Sequence, residues 1–257
     1  MASRPTVTRL TLPLLTGLTA LLAACGGGTP PAPQPQPTPT PAPQPTPTPP
    51  PNPTPPPTAA EVAGRIPGQI TPFKAGDAAS VKPDELPVSA PVNATGVFDL
   101  GLPRVATMTS TNAKLLFSVP DVFGACTNPQ TSAPPTLKVY PINDLNTDKG
   151  QSLIAELDPA RAALNYRAWW FATQDATVKF RGDCLGLGKI DTTFALKRGW
   201  NLLVTVTDPG VSTSYTAGSQ PGSPVPWRPS NTISAARLDT APNVLHPWRN
   251  LPEYRDR

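Results

Sequence analysis

Beyond residue 110 the chain changes between apolar and polar positions with a period of two, the mark of half-buried β-strands. Leu115, Phe117 and Val119 alternate with Lys114, Leu116 and Ser118. Leu137 and Val139 flank Lys138, and Val178 and Phe180 flank Lys179. The strongest instance is FALKRGWNLLVTVTD, from Phe194 to Asp208. Alternation runs on both sides of its Lys197-Arg198-Gly199 corner, which predicts a β-hairpin. Proline and Gly/Asn/Asp clusters punctuate the strands throughout. Short strands with frequent turns predict an all-β fold, an antiparallel β-sandwich, over residues 58–257. The helix candidate is short: DPARAAL, residues 158–164, with Asp158 as N-cap and Pro159 as first helical residue. A single turn between strands is its other reading. Residues 211–231 (VSTSYTAGSQPGSPVPWRPSN) read as a long polar loop, and loops of that length are usually functional or disordered.

Upstream of residue 58 the pattern is different in kind. Residues 1–9 hold Arg4 and Arg9 and no acid, and residues 10–24 are apolar with scattered Thr. At 1.5 Å per residue that apolar run reaches only about 22 Å, short of a bilayer core of roughly 30 Å. A basic start, a short apolar run and a small-residue exit make residues 1–24 a secretory signal peptide. Residues 25–57 then form a linker. Its stretch from Thr29 to Pro57 has 17 prolines in 29 residues and no charged or aromatic side chain. Such a segment cannot bury a core or supply a hydrogen-bond ladder, so it reads as disordered or polyproline II. At about 3.1 Å per residue it extends to about 90 Å, a semi-rigid stalk. A ligand for a proline-recognising domain is the weaker reading, since basic flanks are absent.

Charge adds little. The chain has 21 Lys plus Arg and 17 Asp plus Glu. Without Arg4 and Arg9, nineteen basic residues face seventeen acidic ones, all beyond residue 60. There is no basic cluster, and nucleic acid is not an expected partner.

Leu22-Ala23-Ala24-Cys25 at the end of the apolar run resembles the bacterial lipobox. The resemblance implies cleavage before Cys25 and acylation of Cys25, whose thiolate is the nucleophile that accepts the lipid. Two or three acyl chains, at about 0.8 kcal/mol per buried CH₂, anchor a protein stably. Gly26 stands where an aspartate resembles an inner-membrane retention signal, which implies an outer-membrane address in the bacterial envelope. Residues 64–103 open on Arg65-Ile66-Pro67-Gly68 and close on Gly96-Val97-Phe98-Asp99-Leu100-Gly101-Leu102-Pro103. That ending resembles the carboxypeptidase regulatory-like, transthyretin-like β-sandwich. The whole layout, with Leu196, Gly199, Trp200 and Asn201 in its hairpin motif, is similar to bacterial lipoproteins with a Pro-rich stalk. The resemblance implies a non-catalytic envelope module and names no ligand.

Cys126 and Cys184 remain after Cys25 is taken by lipid, an even pair in an oxidising setting, and they are expected to form a disulfide. Candidates for chemistry are few. His246 is the single histidine and reads as a surface or packing residue; there is no G-x-S-x-G to accompany it. Asn143, Asp144, Asn146 and Asp148 offer alternate oxygens in the manner of a calcium loop, but a polar turn is the better reading. No metal and no cofactor is expected. Trp169 and Trp170 point to opposite strand faces, one to the core and the other outward or under a loop. Tyr215 and Trp227, in the long polar loop, are the ligand-binding candidates. Exposed rings there would stack on a sugar or anchor a partner. The expected function is therefore a non-catalytic interaction or structural module held to the membrane by lipid, its partner an envelope protein. The alternative is a binding protein for a glycan or small ligand.

Overall fold

The computed structural model describes residues 64–161, 163–232 and 243–255. The expected signal peptide (residues 1–24), the expected lipid-attachment residue Cys25 and the Pro-rich segment read as a stalk lie outside the described residues. Strands β1 (Arg65–Ile70), β2 (Ser80–Lys82), β3 (Ala90–Pro91) and β4 (Val97–Gly101) come first. The helices α1 (Val105–Thr109) and α2 (Val119–Val122) flank β5 (Phe117–Ser118). Then follow β6 (Cys126–Thr131), β7 (Lys138–Ile142), β8 (Leu145–Thr147) and β9 (Ser152–Glu156). Four long strands make the centre: β10 (Leu164–Ala172), β11 (Ala176–Cys184), β12 (Gly188–Leu196) and β13 (Gly199–Asp208). β14 (Ser212–Gly218) and β15 (Val225–Pro229) complete the set.

The fold is all-β, as the alternation predicts. Hydrogen bonds join the strands in the order β3-β2-β8-β9-β10-β13-β14-β12-β11-β6, with β1, β4 and β15 attached through β9, and β5 and β7 through β10. Pairing is mixed: β1 runs parallel to β15 and β12 parallel to β14, and the remaining pairs are antiparallel. The β1–β4 ladder brings both ends of the 64–103 stretch together, with Gly68 opposite Phe98 and Ile66 opposite Leu100. Phe98 and Leu100 are buried on one face of β4, as their spacing requires.

The β10–β13 ribbon is covered on both sides, and that is why Trp169 and Trp170 can stand next to each other. Trp169 stacks on Trp227 of β15 at 5.6 Å, and Phe171 on the same face meets Trp200 at 5.5 Å. Trp170 faces the other way, toward Phe194 of β12 at 5.7 Å and Tyr215 of β14 at 5.6 Å. Both tryptophans are buried, so the expectation that one would face outward or lie under a loop is corrected. Two aromatic cores sit back to back across one ribbon.

The strands of the predicted hairpin exist, but they do not pair. β13 lies between β10 and β14, while β12 pairs with β11 and, in parallel, with β14. Lys197 and Arg198 lead from β12 to β13, and β14 lies between the two strands in the sheet. Asp175 accepts from the Arg198 N–H at 2.7 Å, and Asn201 Oδ1 accepts from the Lys197 N–H at 2.7 Å. Strands separated by a third bury the same alternate positions as strands paired in a hairpin. Residues 115–119 are likewise not one strand. Ser118 caps α2, accepting from the Asp121 N–H at 3.4 Å, and Pro120 sits in the first turn, where its missing N–H costs nothing. Asp158 makes a tight turn rather than a helix start, accepting from the Ala160 N–H at 3.0 Å.

Candidate functional site

Tyr215 and Trp227 lie on strands, not in a loop. Tyr215 is the second buried residue of β14, between exposed Ser214 and Thr216, and Trp227 is fully buried in β15. Stacking on a sugar needs an open ring face, and neither residue has one. The long-loop expectation therefore shrinks to residues 219–224, between β14 and β15. The period-two pattern Thr213-Ser214-Tyr215 carried the strand signal, masked by its small polar side chains.

Cys126 and Cys184 form the expected disulfide, across a directly paired position of β6 and β11. β6 is the last strand of the sheet and almost wholly exposed. The bond therefore holds an edge strand that few apolar contacts hold.

The most unusual chemistry gathers around His246. The C-terminal segment, residues 243–255, crosses the body as two short 3₁₀ turns, Pro247–Asn250 and Pro252–Tyr254, each opened by a proline. Trp248 packs on Phe117 at 5.1 Å and holds the segment down. Just before it, His246 Nε2 meets Asp144 Oδ1 at 3.1 Å. The two side chains retain 17% and 6% of their exposure, so this is a buried ion pair. The Ser152 hydroxyl donates to the other Asp144 oxygen at 2.8 Å. Arg249 pairs with Asp84, and Asn143 Nδ2 donates to the Leu245 carbonyl at 2.6 Å. Further along, Tyr254 donates to Asp121 at 3.1 Å and Asn250 to the Leu185 carbonyl at 3.2 Å. The segment is a polar clasp over three separate loops.

Electrostatics follow from this packing. Burial alone would raise the Asp144 carboxyl, but the hydrogen bond and charge of His246 and the Ser152 hydroxyl hold it below the ordinary value. Burial alone would lower His246, but the bond to Asp144 and its charge hold the imidazole above its ordinary value. Burial, with Glu85 and Asp84 nearby, pushes the Tyr140 hydroxyl up. The order of groups differs from that of a hydrolase triad: the carboxylate stands between hydroxyl and imidazole, and His246 Nδ1 meets no hydroxyl. The chemistry this arrangement performs is charge pairing.

The NDLNTD segment is not the expected polar turn: Leu145–Thr147 is strand β8, paired with β2 and β9, and Asn143, Asp144 and Thr147 are buried. Both Asp144 oxygens are engaged, and Asp148 Oδ1 accepts from the backbone of Ala79 at 2.8 Å and of Ser80 at 3.3 Å. Among the described residues no three His, Cys, Asp or Glu side chains converge as a metal site would need. The sequence reading left the Asp144–His246 pair unseen, because the two lie 102 positions apart. The available signal was local: two polar residues directly after the apolar run Tyr140-Pro141-Ile142.

An open groove of about 410 Å³ runs over β11 and β12, lined by Gln130, Thr131, Lys179, Arg181, Asp191 and Thr193 among others. Arg181 and Asp191 pair across it at 2.7 Å. Its one ring, Phe180, is turned into the core. Among the described residues no helix is long and apolar enough to cross a membrane. No known protein family, characterised protein or solved structure matches this chain.

Proposed function

We propose that this chain is a lipid-anchored protein of the bacterial cell envelope that presents a non-catalytic β module on a semi-rigid stalk. The observation that carries the reading is Leu22-Ala23-Ala24-Cys25 at the end of a short apolar run, followed directly by a Pro-rich stretch without charge. A disulfide on an exposed edge strand supports an oxidising compartment. Gly26 after the cysteine supports the outer membrane as the address. The module's role is interaction with, or support of, another envelope protein. The glycan-binding alternative depended on open rings at Tyr215 and Trp227, and burial of both removes that support.

The test is metabolic labelling of expressing cells with an alkyne fatty acid, wild type against Cys25→Ala. Wild type is expected to take up label and to sediment with membranes. The variant is expected to lose the label and keep residues 1–24. Equal processing and equal fractionation of the two would sink the proposal.

A further inference from the structure

Four unpaired polar groups surround one small cavity beneath the C-terminal clasp. They are the Glu85 carboxylate, Asn143 Oδ1, His246 Nδ1 and Trp248 Nε1. Each of these atoms is shielded from solvent and has no hydrogen-bond partner in the protein. Asn143 and Trp248 are themselves 4% and 3% exposed. The cavity is about 10 Å³, room for one water-sized molecule. Leaving one such group unpaired costs about 1–3 kcal/mol, and natural interiors rarely tolerate several together.

The chemistry of the four groups selects the occupant. Trp248 Nε1–H is a donor only, and His246, when protonated and with Nε2 on Asp144, donates through Nδ1. Glu85 and Asn143 Oδ1 are acceptors. Two donor groups and two acceptor groups, with the Glu85 carboxylate taking one bond through either of its two unpaired oxygens, match the capacity of a water molecule, which accepts two hydrogen bonds and gives two. A metal cation would face two N–H donors, and an anion would face the Glu85 carboxylate. We propose that this cavity is a specific site for one internal water molecule. The water accepts from Trp248 and His246, donates to Glu85 and Asn143, and so joins the C-terminal segment to the loop after β2 and to the β7–β8 connection. The site is independent of the lipid anchor.

The experiment uses the full chain, ¹⁵N-labelled in detergent micelles, below pH 6.5 so that His246 is charged. His246 is the sole histidine, so its imidazole signals need no assignment by mutation. Trp248 is assigned from the indole signal lost in Trp248→Phe. Nuclear Overhauser cross peaks at the water frequency, with the sign of a long-lived water, are expected at the Trp248 indole proton and at His246 Nδ1–H. Trp248→Phe keeps a ring against Phe117 but removes one donor, and the His246 cross peak is expected to be lost. Absence of both wild-type cross peaks overturns the site. Saturable shifts of these signals with sodium, calcium or phosphate overturn water as the occupant. Should the variant not fold, the wild-type cross peaks and the ion titrations still decide.

Discussion

Replacing Asp144 by Asn tests whether the buried ion pair fastens the C-terminal segment. The substitution keeps shape and leaves a hydrogen-bond acceptor for His246, but it removes the charge. Taking one partner from a buried pair typically costs about 3–5 kcal/mol, because the other charge is left unbalanced. His246 keeps 17% of its exposure, which places the expected loss near the lower end, about 3 kcal/mol. For a body of this size that is a fall in Tm of about 6–12 °C. The pH dependence has a definite sign. His246 is raised in the folded protein, so its stabilisation is full below its ordinary value of 6.5 and is lost as pH climbs through the raised value. Asp144 is lowered, so its stabilisation is full above 3.8 and is lost as pH falls through the lowered value. The wild-type advantage over Asp144→Asn is therefore largest between about pH 4 and 6.5 and shrinks in alkali. Thermal unfolding of both proteins by circular dichroism across that range reads it directly. A constant difference from pH 5 to pH 9, or none at pH 5.5, would refute the charged pair.

Two further perturbations follow from packing. Reducing the Cys126–Cys184 bond, or replacing both cysteines by Ser, is expected to lower Tm. Chain-entropy reasoning for a separation of 58 gives about 4 kcal/mol, and β6 should exchange its amide hydrogens first; unchanged Tm and β6 protection would count against it. Gly68→Ala places a methyl group inside the Phe98 and Trp227 rings, a cost of about 1–3 kcal/mol in urea unfolding, whereas Gly76→Ala meets open space and is limited to the strain of its positive φ. A neutral Gly68→Ala would mean that β1 does not approach β4 and β15 as described.

The period-two alternation is a local property, and what depends on local sequence was legible. The all-β class, the individual strands β7, β11, β12 and β13, the inward side of Phe98 and Leu100, and the Cys126–Cys184 pair all follow from spacing, β-branched content and cysteine arithmetic. Partners are a different matter. Alternation on either side of Lys197-Arg198-Gly199 says that both strands bury one face, and a hairpin and two strands with a third between them satisfy that equally. In the folded chain β14 lies between the two strands, and Phe194 of β12 packs against Trp170 and Tyr215. The same holds for Trp169 and Trp170: adjacency told of two faces, but only the packing of β15 on one side and β12 and β14 on the other made both of them interior. Tyr215 and Trp227 lie on strands with their rings in the aromatic core, Tyr215 against Phe123 and Trp170 and Trp227 against Phe98 and Trp169, contacts that no local pattern announces. Finally, Asp144 and His246 are unremarkable in sequence. They became a charged, buried pair only when the C-terminal segment was laid across the sheet, since an interaction between residues 102 positions apart is specified by the whole fold and by no stretch of it.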